Sequence, residues 1–461
     1  LMSIDTEEML RAQPMDACVL IGGCDKTVPA QIMGGISADI PIIQLVTGPM
    51  LTGSFRGERV GACTDCRRFW ASYRAEELNN EDIEEVNNQL VPTVGTCGVM
   101  GTASTMAIIT EALGLMVPNS ACAPAVSADR KRIAENTGKI AVKIANENLK
   151  PSSFLSKKNF LNALMVLSSI GGSTNGLVHL TAMAGRLGIK IDLGEFDNLT
   201  KNLPMIVDLK PSGSGYMEDL YKAGGSQRIF YELRDFLYLD AKSVNGTSMG
   251  DDIKGSAKWS QDIITNKSNP IFNAGSIAVL KGSLAPNSAI IKQSAASENL
   301  LIHEGKAVVF EGLEDLANRI DADDLDVTKD NILVLKNIGP KGGPGMPEAG
   351  LIPIPKKLAR QGVKDMVRIS DGRMSGTASG TIVLHVTPES YENGPLAIVQ
   401  DGDLIKLDVP NRRIDLKISE KEIAKRIKKK EKMSIKRRGY NKIYMEHVTQ
   451  ADKGVDFDFL I

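Results

Sequence analysis

The chain is short of the features that would classify it at a glance. No stretch approaches the ~20 apolar residues of a membrane-spanning helix, and its start does not read as a secretory signal. Neither charge predominates: 55 Lys and Arg face 56 Asp and Glu, a formal net charge of −1, which argues against a protein drawn to nucleic acid by its own field. No G-x-G-x-x-G follows an apolar run with an acid about twenty residues on, which disfavours a Rossmann oxidoreductase. No G-x-S-x-G supports a nucleophile elbow, and no repeat of solenoid period is present. Only four histidines occur, scattered at His179, His303, His385 and His447; His179 lies on an apolar helical run and reads as a core residue rather than a ligand.

What is present is length and apolar content. The 461 residues are 42% hydrophobic, too many for one core and enough for two domains. Six cysteines, Cys18, Cys24, Cys63, Cys66, Cys97 and Cys122, read as reduced thiols or metal ligands in a cytoplasmic protein rather than a disulfide framework. The opening LMSIDTEEML reads as a helix already under way, and we expect the natural N terminus to lie upstream.

The first half alternates apolar runs with helical patterns. ACVLIGG (17–23) and PIIQLVTG (41–48) end in glycine, as strands entering turns do. STMAIITEALGLM (104–116) has helical periodicity with Ser104 as its cap, and 159–188 reads as two helices broken at Gly171-Gly172. This alternation predicts a mostly parallel α/β domain over residues 1–267. After TNKSNP (265–270) the pattern becomes β-rich: IAVLKGSLAPNSAIIK, KAVVFEG, NILVLKNIGP, then LAIVQDGDLIKLDVP and NRRIDLKIS, read as strand, Asp-Gly turn, strand, Pro-Asn turn, strand. We expect residues 268–461 to form a barrel-like second domain. The basic run KRIKKKEKMSIKRR (425–438) reads as a solvated helix face.

Four constellations carry chemistry. Cys24-Asp25-Lys26 places a thiolate for soft metals, a carboxylate for hard ones and an amine beside each other where an apolar strand meets a loop; a lysine that takes up carbon dioxide becomes an oxygen ligand. VGTCGVMGTAST (94–105) sets Cys97 in a glycine-rich loop before a helix, where backbone N–H groups favour an anionic centre, although the loop judged alone reads more simply as a small buried thiol in a tight turn. GPKGGPGMPEAG (339–350) holds one acid, Glu348, in a loop too flexible to be packed core. RISDGRMSGTASG (368–380) is rich in hydroxyls, one of which could act as an acid, base or substrate contact if a cation lowers its pKa. Cys63-Thr-Asp-Cys66 is a C-x-x-C without the two further soft ligands of a zinc site.

The segments GGCDKTVPA, GPMLTGSFRGERVG, GTCGVMGTASTMAIITEALG, IGGSTNGLVHL, NIGPKGGPGMPEAG and MVRISDGRMSGTASGTIVLH resemble, in order and through nearly the whole chain, the dihydroxy-acid and sugar-acid dehydratase family. GPMLTGSFRGERVG, YMEDLYKAGG and LDVPNRR look closer to its arabonate and xylonate members. The resemblance implies an iron–sulfur cluster, two-iron rather than four-iron, on Cys24 and Cys97. It implies magnesium on Asp25, a carbamylated Lys26 and Glu348, with Ser375 as the base and Thr377 beside a small hydroxy-acid substrate. It implies a homodimer or homotetramer with no nucleic-acid or membrane partner, and a site between the two domains. The family's third cluster cysteine and one more acidic magnesium ligand lie upstream of the GCDK motif, and its sequences continue past DFDFLI. The alternatives are the branched-chain dihydroxy-acid dehydratase, a phosphogluconate dehydratase, and a non-catalytic relative that binds a small acid.

Overall fold

The computed structural model describes residues 1–461 except 257, 258, 260 and 430–436. The chain divides into two compact units, one of residues 1–66 and 84–276, the other of residues 67–83 and 277–461. The helix α3 (Thr64–Arg74) belongs mostly to the second.

The first unit is built mainly from helices. Its parallel sheet is only two strands wide: β1 (Cys18–Gly22) pairs with β2 (Ile42–Val46), Cys18 opposite Ile42 and Gly22 opposite Val46. The helices α1 (Met2–Ala12) and α2 (Thr27–Ala38) precede and separate the two strands, and β3 (Gly53–Phe55) and β4 (Glu58–Val60) form a separate hairpin. The helix α4 (Asn80–Gln89) leads to α5 (Thr102–Ala112), every residue of which is buried. Polar residues such as Thr105, Thr110 and Glu111 are buried along with the apolar ones, so α5 is enclosed on every side rather than packed by one amphipathic face. The break at Gly171-Gly172 appears as expected, between helices Lys157–Ser169 and Asn175–Gly185. Ser104 is not the cap of α5. The cap position falls to Gly101, and the buried Ser104 turns its hydroxyl back to the carbonyl of Cys97 at 3.4 Å.

A buried cation organises the strand ends. Arg130, on α6 (Ala128–Glu147), donates to the carbonyls of Val46 (2.9 Å) and Ala123. Gly48 passes over this guanidinium with φ +89°, and a Cβ there would stand 2.3 Å from the Ala123 oxygen, so only glycine fits.

The second unit is the barrel-like sheet. Eight strands, β5 (Ala278–Leu280), β6 (Ser288–Ile291), β7 (Ile302–Phe310), β8 (Ile332–Leu335), β9 (Arg368–Ser370), β10 (Ile382–Thr387), β11 (Leu404–Asp408) and β12 (Arg413–Leu416), lie in the order β12-β11-β7-β8-β9-β10-β6-β5. The run β7-β8-β9-β10 is parallel and the flanking pairs are antiparallel. The edges nearly meet through a bridge between Lys281 and Arg413, which shields strand edges that would otherwise be exposed. Period-two alternation sorts the side chains: Ala307, Val309, Ile332 and Val334 fill the main core, while Val308, Phe310, Leu333 and Leu335 pack with Leu316 of helix Leu313–Arg319. The expected strand LAIVQ is instead a 3₁₀ turn, Pro395–Ile398, since proline at its start cannot donate to a ladder. Helix Glu420–Lys429 lays Ile423 and Ile427 on the barrel core and exposes Lys425, Lys428 and Lys429; the rest of the basic run to 436 lies outside the described residues. Among the described residues no helix is long and apolar enough to cross a membrane.

Gly48→Ala should therefore cost about 1–3 kcal/mol through backbone strain alone, and more through the clash. A lowered urea midpoint with an unchanged slope is the expected result.

Candidate active site

In the first unit the site grows from the carboxyl ends of the parallel strands. Beyond the last rung, the Thr47 N–H donates to the Gly22 carbonyl (3.1 Å), the Thr96 N–H to the Gly48 carbonyl (3.0 Å) and the Met50 N–H to the Thr96 carbonyl (2.9 Å). The loop bearing Cys97 thus runs parallel beside the exit of β2, with a bridge between Pro49 and Thr96, just as the loop bearing Cys24 leaves β1. Cys24 and Thr96 line one cavity of about 730 Å³ with Ile21, Thr47, Val94 and Arg130.

The Cys24 thiol lies 3.2 Å from Asp25 Oδ1, and Lys26 Nζ pairs with Asp25 Oδ2 at 2.5 Å. Burial raises the pKa of Cys24. Cys97 is half-buried, and its Sγ stands 3.0 Å from that of Cys63. Hydrogen bonding to Cys63 and burial push the Cys97 thiol up, and the charges of Cys63, Cys24 and Asp25 add to the effect. Groups able to become anions are therefore gathered where each opposes the ionisation of the next, an arrangement a bound cation relieves.

Cys63 sits on a turn fixed by a network that motif reading did not reveal. The buried Asp65 accepts from the Gly61 N–H (2.8 Å), Lys210 Nζ (2.8 Å) and the Tyr216 hydroxyl (2.9 Å). Burial would raise its pKa, but the Lys210 ammonium and the Gly61 N–H outweigh that and hold it below the usual carboxylate range. Lys210 lies 145 residues from Asp65, beyond any local spacing signal.

In the second unit the glycine-rich loop 339–350 is clamped rather than flexible. Glu389, 0% exposed, accepts from the N–H groups of Lys341 (3.0 Å) and Gly342 (2.9 Å) and from Gln450 Nε2 (2.6 Å). Tyr444 donates to the Pro340 carbonyl (2.8 Å) and accepts from the Gly345 N–H (3.0 Å), and Arg373 Nε donates to the Met346 carbonyl. Ala349 then bridges Met374, and the Gly350 N–H donates to the Arg373 carbonyl (2.8 Å). The loop of Glu348 is so stitched to the segment that presents Ser375. Ser375 Oγ and Thr377 Oγ1 share a hydrogen bond of 2.8 Å, and Arg67 Nε reaches Thr377 Oγ1 at 3.4 Å. Arg67, on α3, lies 310 residues from Thr377, and no local spacing signals the pair.

Residues 1–252 match the family described as dihydroxy-acid/6-phosphogluconate dehydratase N-terminal, and residues 262–455 match its C-terminal counterpart. The chain belongs to the dihydroxy-acid/6-phosphogluconate dehydratase family. Among its relatives, a putative dehydratase, IlvD1, of Rhizobium meliloti is 47% identical, an L-arabinonate dehydratase of Rhizobium leguminosarum bv. trifolii 45%, and a 6-deoxy-6-sulfo-D-gluconate dehydratase of Pseudomonas putida 39%. Each alignment covers 100% of this chain and 80% of the relative. A dehydratase of this family is a carbon–oxygen lyase. Within the first unit Cys24, Asp25 and Lys26 are consecutive, and Cys97 lies near enough to feel the charges of Cys24 and Asp25; within the second, the segments of Glu348 and Ser375 are joined, and Ser375 touches Thr377.

Glu389 supplies a test of the clamp. Burial raises its pKa from 4.5 to about 7, against the N–H groups of Lys341 and Gly342 and the Gln450 amide. A raised folded-state pKa contributes stability below pH about 4.5, and that stability is lost as pH rises through about 7. Glu389→Gln should flatten this part of the unfolding free energy against pH, followed by urea titration from pH 4 to 8.

Proposed function

We propose that this dehydratase removes water from a 2,3-dihydroxy carboxylic acid of the sugar-acid class, arabonate or xylonate in type, to give a 2-keto-3-deoxy acid. The observation that carries the reading is the convergence of Cys97, Cys24 and Asp25 at adjoining strand ends, in a chain aligned throughout with sugar-acid dehydratases. The donor set fits the implied groups in kind. Sulfur gathered around Cys97 suits a soft metal, with Cys24 and Cys97 as ligands of an iron–sulfur cluster, two-iron by preference. Oxygen from Asp25, a carbamylated Lys26 and Glu348 suits magnesium. Carbamylation would turn the ammonium that now neutralises Asp25 into a second anion beside it. Among the described residues, no group of three or more His, Cys, Asp and Glu is arranged to hold a metal ion.

When bound, these groups supply Lewis acidity toward the departing 3-hydroxyl and the developing enolate. The protein's own residues do the rest. Ser375 Oγ takes the C2 proton. Thr377 holds the Ser375 hydroxyl through the 2.8 Å bond and so fixes the direction of its lone pairs. Arg67, touching Thr377, places a fixed positive charge near the oxygen that must ionise. The clamp of Glu389, Tyr444 and Arg373 keeps the Glu348 loop from relaxing into solvent. We take the working enzyme to be a cytoplasmic homodimer or homotetramer.

Ser375→Ala should lower kcat by roughly 10²–10⁴-fold, the span of a lost proton transfer, while leaving the cluster absorbance intact; undiminished turnover would remove Ser375 from the base role. Arabonate, xylonate, 2,3-dihydroxyisovalerate and 6-phosphogluconate assayed side by side should show highest kcat/KM for one of the first two. A preference for dihydroxyisovalerate would place the chain with the branched-chain enzymes.

A further inference from the structure

Cys63 stands outside the family's ligand motifs, yet its sulfur is 3.0 Å from that of Cys97. The two backbones are fixed independently. Cys63 is held at φ +77°, a left-handed conformation that strains a residue with a β-carbon, by a turn anchored through Asp65 to Gly61, Lys210 and Tyr216. Cys97 is held through Thr96 to Gly48 and Met50 and through its carbonyl to Ser104. A disulfide bond is ~2.05 Å long, so bonding requires a closure of only about 1 Å. Both residues are half-buried, within reach of a small oxidant.

The geometry points to Cys63 and Cys97 as a dithiol site that a small-molecule disulfide closes into a cystine, which withdraws Cys97 from metal binding. The withdrawal rests on the reading of Cys97 as a cluster ligand; the cross-link does not. In the first step one cysteine thiolate attacks a sulfur of the oxidant, whose S–S bond breaks and releases one thiol. In the second, the other cysteine attacks the mixed disulfide, the Cys63–Cys97 bond forms and the second thiol leaves. The two cysteine thiols together lose two protons and two electrons, and the oxidant is reduced to two thiols. Cys24 is the competing partner: it is exposed, and its charge is felt by Cys97.

The test uses the full chain, prepared reduced and without cluster, and treated with oxidised glutathione before alkylation, digestion and mass spectrometry. A peptide carrying Cys63 joined to one carrying Cys97, lighter by two hydrogens than their sum, is the expected product. Alkylation of both cysteines after treatment, or a Cys24–Cys97 link, would overturn the site. Iron and acid-labile sulfide uptake by the oxidised chain should fall at least ~10-fold, return with dithiothreitol, and be insensitive to oxidant in Cys63→Gly, a substitution its positive φ accepts, and in Cys63→Ser. A cross-link that forms while iron uptake is unchanged would uphold the dithiol site and overturn the cluster role of Cys97.

Discussion

The parallel register of two short strands is the constraint on which the first unit's chemistry rests. Because Gly22 lies opposite Val46, both strands end at one level, and the hydrogen bonds that continue past them carry the Cys97 loop alongside. A one-residue slip would turn alternate side chains to the other face and separate Cys24 from the cavity it shares with Thr96. Arg130 secures this level by donating to the last carbonyl of β2. A guanidinium taken from water and satisfied by carbonyls rather than a carboxylate is costly to bury, so the strand ends are fixed at some expense in stability.

In the second unit, positioning depends on a buried carboxyl group in place of sheet register. Glu389 converts a glycine-rich loop, entropically costly to order, into a rigid support by accepting the N–H groups at its start. Tyr444 and Arg373 take up polar groups further along it. Helix Tyr440–His447 and Gln450, near the end of the chain, thus act on the loop of Glu348 about a hundred residues earlier. The two units use a similar device, a buried titratable side chain satisfied largely by backbone groups: Arg130 at the end of β2 and Glu389 at the start of the Glu348 loop.

Local patterns made much of this legible. The glycine-ended apolar runs became β1 and β2, the Gly171-Gly172 break separated two helices, and the β-rich half became a nearly closed barrel. What misled was equally physical. LAIVQ has the composition of a strand, but Pro395 sets a 3₁₀ turn. Ser104 looked like a cap, but the loop leads into α5 three residues earlier. The 339–350 loop looked mobile since its composition says nothing of Glu389, Tyr444 and Gln450, which arrive only on folding. The candidate site residues were named through motif resemblance, whereas the pairs around them, Asp65 with Lys210 beneath Cys63 and Arg67 with Thr377 beside Ser375, are long-range and no spacing encodes them. Cys63 illustrates the limit: its C-x-x-C spacing to Cys66 says nothing of Cys97, against whose sulfur folding places it.

The central claim is that Cys24 and Cys97 hold one metal centre. Anaerobic reconstitution of the full chain with iron and sulfide, followed by visible absorption and electron paramagnetic resonance, tests it most directly. The account predicts that Cys24→Ser and Cys97→Ser each lose the cluster spectrum while Cys122→Ser, at a fully buried thiol outside the candidate ligand set, keeps it. An unchanged spectrum in either of the first two variants would contradict it.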